Sequence, residues 1–201
     1  MKLGLITAIC EGMTFEEVVD FAAENGLECL EVACWPQGGA QRRYAGVSHI
    51  DVANLDEEKA NDIKNLCAKK GVEISALAYY PNTLDPDLEK RQSYIAHLYK
   101  LIDASAMLDV NMITTFIGRV PTKNFSENLE IVKEVWPPIL EYAQKKGIDP
   151  EEVMPYFKKN IPIHRLVDLQ DVINAAVFLL TDNSAYLTGQ SINLTGGEWM
   201  D

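Results

Sequence analysis

Through the first three quarters of the chain, short apolar runs alternate with stretches whose apolar residues return at helical spacing. The runs Leu3–Ala8, Cys29–Ala33, Glu73–Ala78 and Met112–Phe116 read as strands covered on both faces. Between the first two, Thr14 stands as a helix cap with Glu17 in the capping-box position; Phe15, Val18, Val19 and Ala22 share an apolar face, and Gly26 ends the pattern. Asp56 opens a second helix with Ala60, Ile63, Leu66 and Cys67 on one side and Gly71 as its stop. A third helix is predicted from Leu88 to Leu108, with Ile95, Leu98, Leu101, Ile102 and Ser105 aligned. A fourth is predicted from Ser126 to Lys146. Trp136-Pro137-Pro138 interrupts the fourth, and two prolines that lack a backbone donor predict a kink or a break into two helices.

Four strand–helix units in sequence predict parallel strands joined by crossovers, which is half of a (β/α)8 barrel. A complete barrel takes roughly 250 residues, and a fifth strand is due just after Gly147. The chain instead continues DPEEVMPYFKKN, with Asp149 as a cap and Pro150 at the first helical position. A last helix follows over Leu169–Thr181, expected to turn Val172, Ala175, Ala176, Phe178 and Leu179 inward, and then an apolar strand over Ser191–Leu194. The fold class is therefore α/β: residues 1–147 form a half barrel, and residues 148–201 add a helix–helix–strand segment packed into the same domain. Strand 191–194 is expected beside strand 112–116, giving an open five-stranded parallel sheet, because strand 112–116 otherwise leaves an unpaired apolar edge. The opposite edge, strand 3–8, stays open and makes a homodimer through the sheet edge an expectation.

Composition narrows the function. A formal net charge of −12 argues against a nucleic-acid partner, which phosphate binding would select through clustered Lys and Arg. No stretch has the length of a membrane span, and the N-terminus lacks the cleavage site of a signal peptide, so a cytoplasmic protein is expected. Cys10, Cys29, Cys34 and Cys67 form no CxxC pair and read as buried free thiols.

Barrels of this architecture place their sites at the C-terminal ends of strands. Glu31, Trp35, Tyr79, Tyr80, Asn82, Phe116 and Arg119 all fall at or just past such ends. They are the candidate substrate-binding residues: aromatics against a sugar ring, Arg119 for a phosphate. His49, His97 and His164 stand alone in apolar or loop settings and read as packing or surface residues.

Residues 1–147 resemble the sugar phosphate isomerase/epimerase family, which has the xylose-isomerase-like barrel. The likeness is carried by LEVACWP (30–36), HIDVANLDEEKANDIKNLCAKKGVEISALAYYPNTLDPD (49–87), TTFIGR (114–119) and VWPPILEYAQKKGI (135–148). The resemblance implies metal-assisted proton transfer on a sugar, with the metal ligands on the second half of the barrel. Those ligands begin with a glutamate on a fifth strand, and the set has no counterpart here. Residues 161–197, IPIHRLVDLQDVINAAVFLLTDNSAYLTGQSINLTGG, resemble the C-terminal end of short-chain dehydrogenases. In that family the position of His164 is commonly glycine or another small residue, and both the glycine-rich dinucleotide turn and the Tyr-x-x-x-Lys pair lie upstream of the matching part.

These readings give three expectations for function. The first is a chimera-like scaffold, catalytically incomplete and without a cofactor, that binds at most a small sugar or sugar phosphate. The second is a manganese- or magnesium-dependent sugar isomerase/epimerase completed by oligomerisation. The third is a nicotinamide-dependent oxidoreductase.

Overall fold

The computed structural model describes residues 2–36, 45–147, 159, 161–188 and 192–197. Four parallel strands build the sheet: β1 (Gly4–Ile6), β2 (Cys29–Ala33), β3 (Glu73–Ala78) and β4 (Ile113–Thr114), in the order β1-β2-β3-β4. Each strand is followed by a helix: α1 (Phe15–Glu24), α2 (Glu57–Lys70), α3 (Leu88–Met107) and α4 (Phe125–Lys145). The expected (β/α)4 half barrel is present. Its outer strands are shorter than their apolar runs, because Thr7–Ile9 winds into a 3₁₀ turn and β4 keeps only two residues in the ladder.

Local chemistry explains the helix ends. Thr14 Oγ1 accepts from Glu17 N–H while the Glu17 carboxylate takes the Thr14 N–H, the reciprocal cap expected of T-x-x-E. Asn124 and Glu127 repeat the device on α4. Asp56 caps α2, and Gly71, at φ 70°, closes it in the left-handed conformation.

Leu30 and Val32 of β2 and Leu77 of β3 send their side chains into a core shared with Val18, Val19 and Ala22 of α1 and with Leu98, Leu101 and Ile102 of α3. Ile139 and Ala143 bring α4 onto the same core. α4 runs unbroken through Pro137 and Pro138, so the expected break does not occur. The two prolines leave the carbonyls of Lys133 and Glu134 without their helical donors. All four residues are exposed, so water can satisfy what the ladder cannot.

The chain divides into two compact units, Met1–Ile148 and Asp149–Asp201. In the second, α5 (Leu169–Leu179) is capped by Asp168 with Asp171, and Arg165 grips the Asp171 carboxylate at 2.7 Å. No residue of α5 is buried, which corrects the expectation that Val172, Ala175, Ala176, Phe178 and Leu179 turn inward: Val172 is 47% and Leu179 46% exposed. Of this unit's described residues only Ile161 and Ser184 are buried.

The expected fifth strand is also corrected. Among the described residues the sheet has four strands, and Ile192–Leu194 are not in it. The tail turns back instead: Ile163 N–H donates to Gly196 O at 3.3 Å, and Gly196 sits so close to Ile161 and Ile163 that a Cβ would collide with both. The helix predicted from Asp149, Lys159 apart, and Ser191 itself lie outside the described residues. No helix among the described residues is long and apolar enough to cross a membrane.

Candidate functional site at the C-terminal strand ends

β2 carries Glu31 on the face turned away from the helices, and its carboxylate reaches across β3 to β4. Glu31 Oε1 accepts hydrogen bonds from the Tyr80 hydroxyl and, at 2.8 Å, from Thr114 Oγ1. Three strands therefore contribute to one polar cluster. Burial pushes the Tyr80 phenol up to about 12, and the neighbouring Glu31 carboxylate acts in the same direction. Tyr80 is a proton donor at neutral pH.

The Tyr80 ring lies 4.8 Å from that of Phe116. These two rings, with Pro81, Asn82, Ile117, Gly118, Arg119 and Pro121, line an open groove of about 380 Å³ over the ends of β3 and β4. Asn82 staples the two loops together: its Nδ2 donates to Arg119 O and its Oδ1 accepts from Arg119 N–H, both at 2.9 Å. Thr83 Oγ1 adds a bond to Ile117 O at 2.7 Å. Gly118, at φ 77°, is required here, because a Cβ would overlap the Asn82 side chain. Arg119 is exposed, and its guanidinium has no ion-pair partner among the described residues.

Of the seven residues singled out in the sequence, Glu31, Tyr80, Asn82, Phe116 and Arg119 come together here. Asn82 shapes the groove with an amide committed to backbone rather than offering it to a ligand. Tyr79 is corrected: it is 0% exposed, pointing into the core between Trp35 (ring centroids 4.9 Å apart) and His97 (4.7 Å). Strand alternation accounts for this, since Tyr79 and Tyr80 must face opposite sides of the sheet. Trp35 packs on Tyr79 and is half-buried. Sequence reasoning passes over Thr114; of the two adjacent threonines in that strand, Thr114 is the one two positions before Phe116 and so on the same face.

The histidines have structural partners. His49 Nε2 donates to Cys10 O at 3.3 Å, which leaves Nδ1 to accept from the Thr7 hydroxyl at 3.0 Å. Thr7 Oγ1 in turn accepts from Ala33 N–H at 2.9 Å. His97 Nε2 donates to Cys34 O at 2.7 Å. Burial pulls both imidazoles below their ordinary pKa. The four cysteines are free thiols; Cys34 and Cys67 are buried, and Cys10 and Cys29 only half-buried. Among the described residues no three His, Cys, Asp or Glu side chains are placed to share a metal ion. Glu31 alone does not amount to the oxygen-rich set that magnesium or manganese needs. These residues do not fit a resident metal.

A parallel half barrel with a polar cluster and a groove at its C-terminal strand ends defines an α/β protein of the TIM-barrel class. The profile of the xylose isomerase-like TIM barrel family matches residues 19–175, and the chain belongs to that family. The matched stretch extends past residue 147, where the barrel-like part was expected to end. Among solved structures, the D-psicose 3-epimerase of Clostridium cellulolyticum H10, determined with D-tagatose, superposes with a TM-score of 0.55 at 20% identity; the match covers 74% of this chain and 50% of that one. The IolI protein, determined with a bound zinc atom, gives a TM-score of 0.52 at 14% identity, over 74% of this chain and 49% of that one. At these identities the likeness is one of fold. Sorbitol-6-phosphate 2-dehydrogenase of Escherichia coli K12 is 45% identical over 60 residues, 30% of this chain and 23% of that protein. The chain thus spans about half the length of these solved barrels, and less than a quarter of the dehydrogenase.

Proposed function

We propose that this 201-residue chain is a sugar-binding half barrel, which holds a ketose or ketose phosphate in the groove over β3 and β4 and does not turn it over by itself. The observation that carries this reading is the cluster of Glu31, Tyr80 and Thr114 beside a groove floored by two rings, with a guanidinium at its rim that has no ion-pair partner among the described residues. Aromatic faces suit the C–H surface of a sugar ring, a carboxylate with two hydroxyls suits its hydroxyl groups, and Arg119 suits a phosphate. Turnover is not expected because the described residues supply no metal-ligand group and no paired acid and base across the groove.

Calorimetric titration with D-tagatose and with a ketose 6-phosphate tests the reading. Weak saturable binding is expected, tighter for the phosphate, with Arg119→Ala removing that preference and Phe116→Ala weakening both. An absence of heat from both ligands would overturn it. Manganese-dependent interconversion of ketoses would replace it with the alternative of an isomerase completed by a second chain. The short identity with a sugar-phosphate dehydrogenase supports a further part of the proposal, that the chain joins segments of two lineages.

A further inference from the structure

We infer that two copies of this chain close into one eight-stranded barrel, β4 of each pairing with β1 of the other. The inference rests on the fold and not on the sugar-binding reading, so either can fail without the other. The sheet holds four parallel strands, and among the described residues neither the outer side of β1 nor that of β4 has a partner. Unpaired edges of this kind invite another chain. Eight strands is the number at which a parallel β/α sheet closes with a filled interior, and this chain matches about half the length of solved barrels of its fold.

Polarity decides the arrangement. A two-fold axis parallel to the strands keeps every strand pointing the same way, so a single rotation makes both β4–β1 contacts parallel and leaves no open edge. An axis perpendicular to the sheet edge would instead join β1 to β1, or β4 to β4, antiparallel, and would leave two edges bare. Apolar side chains stand exposed beside both edges: Leu3 (64%) and Ile9 (57%) flank β1, and Phe116 (51%) and Ile117 (49%) follow β4. Closure in parallel brings Ile9 against Phe116 and Ile117 at the C-terminal ends, and Leu3 against the run that leads into β4 at the N-terminal ends. It also gathers both grooves at one mouth, with the partner's Thr7–Gly12 segment walling the open side of each groove, and with two Glu31 carboxylates in one barrel.

The test is the oligomeric state of the full chain, by analytical ultracentrifugation across micromolar concentrations. A dimer is expected, and Leu3→Lys combined with Ile117→Lys should raise its dissociation constant at least tenfold. Both positions are exposed in the protomer, so an unchanged circular dichroism spectrum will show that the variant still folds. For the arrangement, a photo-crosslinking benzoylphenylalanine replaces Leu3 in an isotope-labelled copy mixed with unlabelled chain. Adducts to the unlabelled copy's residues 108–114 are expected. Adducts to its residues 2–12 would mean β1–β1 pairing and would overturn the closed barrel. A monomer at every concentration would also overturn it, as would a dimer indifferent to the two lysines.

Discussion

Tyr79 and Tyr80 show how one step along a strand divides two identical side chains between different tasks. Tyr80 faces the groove, and its hydroxyl has the Glu31 carboxylate. Tyr79 faces the core, and its hydroxyl is buried without a hydrogen-bond partner among the described residues. Leaving such a group unsatisfied costs about 1–3 kcal/mol, whereas removing it leaves the aromatic packing on Trp35 and His97 in place. Tyr79→Phe should therefore hold or raise stability, by up to about 1 kcal/mol in urea unfolding, while Tyr80→Phe should lower it. A marked loss in Tyr79→Phe would show that the hydroxyl has a partner, such as an ordered water. His49 and His97 carry a second prediction. Burial depresses both folded pKa values, with Lys100 adding to the effect at His97 and Asp51 opposing it. The unfolded chain therefore binds more protons than the folded one as pH falls through the ordinary histidine range, near about 6.5. The two histidines' contribution to stability is complete above that value and declines below it, down to the lower folded values. Melting temperature should fall between about pH 7 and pH 5, and His97→Gln, which keeps a donor for Cys34 O, should flatten that slope.

Helix caps were legible because each is written within a few residues: Thr14 with Glu17, and Asp56 before an apolar face, gave the starts of α1 and α2. The course of α4 was not legible. Proline chemistry alone predicts an interruption at Pro137, but whether the freed carbonyls reach water depends on which side of the helix faces out, and that is decided by the core under Ile139 and Ala143. α4 also has an anchor that sequence spacing hides, since its partner lies on α3. Tyr142 Oη donates to Asp103 Oδ1 at 2.8 Å, Lys146 Nζ bonds the same oxygen at 2.7 Å, and the Tyr142 ring stacks edge-on against Tyr99 at 4.8 Å. The Lys146 pair is exposed enough to be worth little alone, so most of the contribution comes from the half-buried tyrosine hydroxyl on a charged acceptor. Asp103→Ala should cost about 1–2 kcal/mol in chemical denaturation, and Lys146→Met clearly less. Equal losses for the two variants would mean that the ion pair, not the tyrosine, holds α4 to α3.

Across the whole molecule, the half barrel could be read from the chain and the fate of its tail could not. Periodicity records which side of α5 is apolar but not whether anything lies against it, and the same holds for Ile192–Leu194, apolar enough for a strand yet outside the sheet. The candidate site was legible where fold geometry dictates it, at the ends of β2, β3 and β4, and illegible where alternation sends a residue to the core, as with Tyr79. Among the described residues, both hydrophobic clusters draw their buried members from before the second unit, from Ala8 to Ala143. The first unit thus contains its own core, and the second exposes Leu169 (75%), Val177 (54%) and Leu187 (47%). Apolar groups exposed in this number attract hydrophobic dyes and other chains. Removing residues 149–201 should therefore leave a cooperative melt within a few degrees of the full chain, while the fluorescence of bound anilinonaphthalene sulfonate falls several-fold. Loss of the cooperative transition on truncation would show instead that the half barrel depends on residues 149–201 for its stability. The tail would then be part of the fold rather than a second unit joined to it.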